Sequence, residues 1–370
     1  MKKKIILIVI NVLLIIGFFV CMSISGNIIS PLHSQQAAVA WSGQSEERFS
    51  QVTAFFPETL SFGFQGIHEL RDAVENALLA VSIDTQGARE FYTDAWSAKG
   101  SFSVLGARAG GAVNASVIGV GGNFFMFHPL RLRNGSYISP NDLMRDRVVL
   151  DEELAWRLFG SVHLAGMEIL INNRPFVIAG VVARDNDFAS RRAYDGGEGL
   201  FMSFEALDAM TEGVTRIISY EIVMPDPVTG FAYSVISEFF ADSDVLVVEN
   251  STRFSLSNAF SAIGSFGERG MHTVAIELPY WENAARFAED MQALLLAISL
   301  VLIITPTLFA VILLIKLIRY LFRRGKRTLL KTIEKRDRRA YEKYIAKHYS
   351  TDLSDYSVEQ IIREVNGDNY

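Results

Sequence analysis

The sequence predicts an α+β protein in which a two-lobed extracytoplasmic domain stands on a helical stalk with two transmembrane helices. Three observations predict it. Two long apolar runs lie toward opposite ends of the 370-residue chain. Each run has lysines or arginines on its outer flank. The stretch between them mixes helix-period and strand-period patterns and is acidic, with 18 Lys and Arg against 33 Asp and Glu, a net charge of −15. Half of all residues are hydrophobic, and the mean hydropathy of +0.22 fits a water-soluble body on a few anchors.

The first run, residues 5–22, reads IILIVINVLLIIGFFVCM with Asn11 as its one polar residue. It is just long enough to cross a bilayer as a helix. Lys2, Lys3 and Lys4 precede it, and positive charge keeps a flank in the cytoplasm. A convincing small-x-small processing site is missing after the run, which favours an uncleaved anchor over residues 1–23 rather than a signal peptide. Cys21, the only cysteine, follows Val20, where lipoprotein processing prefers a small residue. The body therefore has neither disulfide nor thiol chemistry.

Residues 24–58 continue with few breakers before Pro57, and Val39, Phe49, Val52 and Phe55 are spaced as on a helix. They predict a stalk helix rising from the membrane. Within the body, residues 59–278, a helix is predicted over 67–79 and a strand over 80–84. Strands follow over 116–120, 147–150, 168–171 and 176–182, with Asn172-Asn173 as a tight hairpin turn between the last two. A strand, a helix and a strand are predicted over 220–224, 231–240 and 245–249. This order places a strand-rich central portion between two halves of a membrane-proximal lobe.

Residues 279–318 form the mirror of the entry. Pro279 suits the first turn of a helix, which leads without interruption into the second apolar run, 293–317. That run is too long for a core helix of most globular domains, and Pro306 within it predicts a kink. A basic tail, 319–370, follows, including Arg323, Arg324, Lys326 and Arg327. By the positive-inside rule both termini are cytoplasmic and the body lies outside the cell membrane. The tail can rest on anionic headgroups. Near its end, Ser357 and Gln360 open a short helix whose Val358, Ile361, Ile362 and Val365 form an apolar face suited to a partner.

The residues offer no catalytic, cofactor-binding or metal site. His33, His68, His128, His163, His272 and His348 are scattered without ligand spacing. Gly119-Val120-Gly121-Gly122 lacks the strand, helix and downstream acid of a nucleotide loop and reads as a turn. Neither a Gly-x-Ser-x-Gly elbow nor a Ser-x-x-Lys set with partners occurs. Glu152 and Glu153 are adjacent on a predicted helix and point apart. Asp185, Asp187, Arg191, Arg192, Asp195 and Glu198 read as a solvated polar loop, with a partner contact as the alternative. The acidic body excludes nucleic acid.

From residue 117 to 182 the sequence resembles the extracytoplasmic core domain of MacB-type ABC transporter permeases, within the broader FtsX-like group. The likeness rests on pieces in order: Phe124 and Phe125, Leu130, Leu132 and Gly135, an acid at Asp142, then the strand and short helix ending Leu158-Phe159-Gly160, and the hairpin with Gly166, Arg174, Phe176 and Gly180. The resemblance implies a non-enzymatic membrane subunit or relative of such a system, with an ABC ATPase or permease subunit and the lipid bilayer as partners. An extracytoplasmic protein or a small-molecule ligand is the partner class left for the body. Family permeases have three spans after the core domain and a cytoplasmic loop that docks on the ATPase, whereas this chain shows one span and a basic tail. An accessory subunit, a degenerate relative and a half completed by another chain all fit that departure. The competing class is a stand-alone two-pass sensor or scaffold with the tail as its output. An extracytoplasmic hydrolase would need a converging acid/base or metal set that the sequence lacks.

Overall fold

The computed structural model describes residues 2–43, 45, 47–83, 91–106, 111–194, 199–264 and 276–349. Two compact units are distinguished by their internal packing: Ile16–Val301, and Met1–Ile15 with Leu302–Tyr370. In the second unit the described residues are helical, the start of α1 (Lys2–Ile29) and most of α10 (Tyr280–Tyr349). These two helices are long and apolar enough to cross a bilayer. α10 passes Pro306 without ending, and the basic stretch to Tyr349 is part of it.

The first unit departs at once from the predicted stalk. α1 gives way at Pro31, which cannot continue a helix, to a 3-10 turn at His33–Gln35 and a short α2 (Ala37–Ser42). Gly43, at φ +55°, closes α2 in a conformation that suits glycine. Phe49, Val52 and Phe55 then fall on a strand, β1 (Phe49–Phe55), and not on a stalk helix. Every residue of β1 is buried. Such a strand has no polar face to betray its period of two, so its aromatic and β-branched residues mimic helical spacing.

Helix α3 (Phe64–Ala80) follows the prediction, burying Ile67, Leu70, Val74 and Leu78 in one stripe. The strand predicted over 80–84 is corrected. Ala80 ends α3, and Val81 and Ser82 form a turn whose amides donate to the carbonyls of Leu78 and Leu79. Ser82 has φ +64°, outside the strand region; Asp84 lies outside the described residues.

The chain then passes through β2 (Thr93–Leu105), β3 (Val113–Gly122), α4 (Phe124–Phe127), β4 (Arg131–Gly135), β5 (Arg147–Asp151) and α5 (Glu152–Phe159). Next come β6 (Glu168–Ile171), β7 (Arg174–Ala183), α6 (Ser190–Ala193), β8 (Gly199–Ser203) and α7 (Phe204–Met210). β9 (Ile217–Pro225), α8 (Phe231–Phe239), β10 (Leu246–Glu249) and α9 (Leu256–Gly264) precede α10. Asn172 and Asn173 both have positive φ and close the predicted β6–β7 hairpin.

The described strands form one mixed sheet in the order β10-β1-β9-β2-β3-β8-β5-β7-β4, with β6 pairing β7 and the end of β2. The central portion is inserted in the chain as predicted, but its strands and those of the flanking halves share this one sheet. β2 and β3 join them, pairing from Ala95 with Gly122 to Val104 with Val113. Both faces are covered. On one, Val148 and Leu150 pack in a core with α3, α5, α7 and α8 residues; on the other, Val149 packs with Phe124, Phe201 and Trp281 of α10.

Candidate functional site

A chain of buried polar side chains runs from the sheet to the first three turns of α10. His128 Nε2 sits 2.5 Å from Glu221 Oε2 on β9, with both side chains 2% exposed. Thr53 Oγ1 of β1 lies 3.4 Å from Glu221 Oε1 and 2.8 Å from Asn250 Oδ1. Asn250 Nδ2 donates to Gln35 Oε1, which also accepts from Arg253 Nη1 at 3.2 Å. Arg253 then donates to Glu282 Oε2 and Oε1 at 2.6 and 2.8 Å, and its Nη2 to Glu289 Oε2 at 3.2 Å. Arg286, one turn beyond Glu282, adds a second guanidinium at 2.9 Å. Residues from the segment after α1, from β1, from the end of α4, from β9, from the turn after β10 and from α10 thus share one hydrogen-bonded path.

The charges on this path are matched, as burial requires. Burial works against ionisation of Glu282, yet Arg253 and Arg286 outweigh it and hold its carboxyl below the usual carboxylate range. Burial also opposes the charge on Arg253, and Glu282 with Glu289 overcomes it, raising its pKa. Arg253 and Glu282 are thus held charged together in a dry place, so their geometry is tight.

Beside this path the sheet and the start of α10 enclose a cleft of about 120 Å³. Ile118, Leu130, Val182 and Phe201 give it apolar walls, and Leu278, Pro279, Tyr280, Trp281 and Asn283 line it from the entry to α10. Asp151 is a hub at its edge. Its Oδ1 caps α5 by accepting from the Leu154 amide, and its Oδ2 accepts from Arg184 and from the Gly199 amide. Burial pushes the Asp151 carboxyl up, and Arg184 draws it back. The Tyr194 and Tyr280 rings stack at 4.3 Å, and the Trp281 ring lies 4.3 Å from His128, so the cleft and the polar path meet at Trp281.

The residues singled out in the sequence are only partly brought together. Of the histidines whose side chains are described, His128 joins the path; His272 lies outside the described residues. Among the described residues, no group of three or more His, Cys, Asp or Glu could hold a metal ion. Glu152 and Glu153 do point apart, toward Arg133 and Arg184. Gly119 to Gly122 belong to the end of β3, where Gly121 packs against the Trp96 indole and Gly122 turns with φ +60°. Cys21 is a free thiol in α1.

The loop read as solvated is partly a packed element. Asp187 Oδ1 accepts from the amides of Ala189 and Ser190, starting α6, and Ala189, Ser190 and Ala193 are buried. The Arg192 guanidinium lies over Phe188 and near Phe287 of α10. Small residues between the charges supply the buried side, a signal the charges mask. Asp195, Glu198 and the tail helix around Ser357 lie outside the described residues. Sequence reasoning missed Gln35, Glu221, Asn250, Arg253, Glu282 and Glu289. The spacing of Glu282, Arg286 and Glu289 along one helix face matches a solvated ion-paired face, and only the three-dimensional position of Arg253 distinguishes the two.

The arrangement defines a class: a β-sheet domain clasped to helices apolar enough to enter a membrane, with buried charge serving linkage. A family model for the MacB-like periplasmic core domain matches residues 6–237, and the chain belongs to that family, within the ABC transporter permeases. Over 79 residues it is 43% identical to the macrolide export ATP-binding/permease protein MacB of Chromobacterium violaceum, a match covering 20% of this chain and 12% of that protein. The corresponding protein of Agrobacterium fabrum is 37% identical over 100 residues, covering 26% of this chain and 15% of the relative. The matches thus span well under two thirds of either relative. Among solved structures, the periplasmic region of MacB from Actinobacillus actinomycetemcomitans aligns with 20% identity and a TM-score of 0.37, covering 55% of this chain and 89% of that one. The extracellular domain of the noncanonic ABC-type transporter YknZ from Gram-positive bacteria aligns with 13% identity and a TM-score of 0.37, covering 54% and 99%.

Proposed function

We propose that the chain is a non-enzymatic membrane subunit of, or relative to, a MacB/FtsX-type ABC transporter, coupling an extracytoplasmic domain to the motion of a cytoplasmic ATPase. α1 and α10 cross the cell membrane, both termini lie in the cytoplasm beside their lysines and arginines, and the acidic sheet domain lies outside. The observation that carries this reading is the buried grip of Arg253 on Glu282 and Glu289. It fastens the segment after the last described strand to α10 one to three turns before the apolar run begins. A helix transmits a rigid-body displacement along its axis without breaking its own hydrogen bonds, and a desolvated, bidentate ion pair resists being pulled apart.

The test is purification from native membranes with the partners retained. Recovery of an ABC ATPase or permease subunit with the full chain supports the proposal. Its absence, with the full chain intact and folded, removes it. The second reading, a stand-alone sensor or scaffold, draws on the cleft beside Asp151 and Arg184; a ligand-induced rise in melting temperature with no transporter subunit co-purifying favours it.

A further inference from the structure

We propose that α9 is an interfacial helix whose exposed Leu256 and Phe260 enter the boundary between headgroups and acyl chains of the outer leaflet. The domain then sits on the bilayer surface as well as being tethered to it. This inference rests on the reading of α10 as a membrane span.

The level of α9 follows from the descent of the chain along α10. Arg253 pairs with Glu282 and Glu289. One residue on, the Phe254 carbonyl accepts from Gln292 Nε2 at 2.9 Å, and Gln292 is the residue before the apolar run begins at Ala293. Phe254, Met291 and Leu295 pack against the cluster that holds Ile28, Ala284 and Ala288. α9 therefore starts where the span leaves the body.

The chemistry of α9 suits that level. Residues 254–264 carry no charge, in a body with a net charge of −15. Ala259 and Ala262 are 3% and 2% exposed, whereas Leu256 and Phe260 are 58% and 51% exposed. Ser257 and Ser261 are exposed as well. At about 100° of turn per residue, the Leu256–Phe260 edge lies between the buried alanines and the exposed serines. One side of the helix thus meets protein, the next is apolar and open, and the third is polar. Helices of this pattern sink about 5–10 Å into the headgroup and acyl boundary.

α6 reaches the same level. Ala189 and Ala193, on either side of exposed Arg191 and Arg192, belong to the cluster with Ile28 and Ala288. The Arg192 guanidinium lies 4.0 Å from the centre of the Phe188 ring and 5.3 Å from that of Phe287. Phe287 precedes Ala293 by six residues, which places it about 9 Å outside the apolar run along the helix. Headgroups fill roughly 5–7 Å on each side of the hydrocarbon, so this guanidinium borders the phosphates, its preferred partners. A second protein is the other possible cover for the Leu256–Phe260 edge. Lipid is favoured because the edge begins at the span and α9 has no charge with which to set a partner's register.

The test reads depth in the full chain in nanodiscs. Cys21 is the only cysteine, so a Cys21→Ser background accepts one nitroxide at a time, at Phe260→Cys, Ser257→Cys or Val301→Cys. Val301, in the apolar run, is 68% exposed. Collisions with oxygen, which concentrates in lipid, and with a water-soluble nickel chelate distinguish the surroundings. The Phe260→Cys label is expected to meet the nickel chelate several-fold less often than the Ser257→Cys label, with oxygen collisions approaching those of Val301→Cys. Equal nickel collisions at Phe260→Cys and Ser257→Cys, with Val301→Cys shielded, overturn the proposal and leave the span intact. Few collisions with either reagent at Phe260→Cys mean a protein cover and also overturn it. A water-exposed Val301→Cys label removes the span and the inference with it. If the Cys21→Ser background does not fold, Phe260→Trp and Ser257→Trp in the native chain decide the matter. Brominated lipid should quench the added fluorescence of the first several-fold more than that of the second, and equal quenching overturns the proposal.

Discussion

Arg253 holds Glu282 through two parallel hydrogen bonds, Nη1 to Oε2 at 2.6 Å and Nη2 to Oε1 at 2.8 Å, with Arg253 3% and Glu282 0% exposed at the side chain. Replacing Arg253 by methionine keeps much of its volume and takes the shared guanidinium away from two buried carboxylates, leaving Arg286 as the cation beside Glu282. Removing one partner of a buried pair costs about 3–5 kcal/mol. Thermal and denaturant melts of the full chain are expected to show that loss. The double variant Arg253→Met, Glu282→Leu should recover part of it, because the fully buried Glu282 carboxylate is then removed together with its cation.

The same pair gives a pH dependence with a definite sign. The folded carboxyl of Glu282 titrates below its ordinary value of 4.5, so its contribution to stability is complete above that value. It is lost as pH falls from there through the lowered folded value. The difference in melting temperature between the native chain and Glu282→Gln is therefore expected to be largest near neutral pH and to shrink below about pH 4.5. A difference that grows on acidification contradicts this assignment.

Asp151 serves two masters, and two substitutions separate them. Asp151→Ala removes the cap on α5 and leaves Arg184 without its buried acceptor, with an expected loss of about 3 kcal/mol. Asp151→Asn keeps an oxygen for the Leu154 amide and should recover about 1 kcal/mol of it, the usual worth of a cap. Denaturant titration of both variants checks the order.

Glycines in the hairpin region differ in what a methyl group would meet. Gly180 lies opposite Gly135 on β4, and a Cβ on it would stand 2.5 Å from the Ser136 carbonyl oxygen and 2.8 Å from that of Asn134. Backbone cannot move aside as a side chain can, so Gly180→Ala is expected to cost about 3 kcal/mol. Gly166 has φ +85° but open space around it, and Gly166→Ala should cost about 1–2 kcal/mol, the left-handed penalty alone. Equal losses in the two variants would mean that crowding across β4 and β7 is not what holds Gly180.

Local pattern carried much of the fold, and it failed where burial erased the pattern. The stripe Ile67, Leu70, Val74 and Leu78 announces α3 because its opposite face is wet. The Asn172-Asn173 turn announces its hairpin because few other residues tolerate positive φ at both positions. β1 misled because both its faces are covered, and polar Gln51 and Thr53 sit inside it with their partners supplied from distant segments. β2 went unread because Ser97, Gly100, Ser101 and Ser103 dilute its apolar signal, although it is the longest described strand and joins the two halves of the sheet through its pairing with β3. The pieces resembling the MacB-like core, Phe124, Leu130, Leu158 and Phe176 among them, turn out to be core residues, so they identified the family through its packing. The polar path stayed hidden because its members come from six separate parts of the chain. No spacing rule joins Gln35 to Asn250.

The neighbouring placement of β1 and β10, with Val52 opposite Glu249, means that the polypeptide leaves the sheet close to where it joined it. Everything from β2 to β9 is a closed detour, itself beginning and ending on adjacent strands, with Trp96 opposite Tyr220. Such a detour can be lengthened, shortened or exchanged in evolution while the entrance and exit stay fixed. Variation within the detour therefore need not disturb how the domain is mounted.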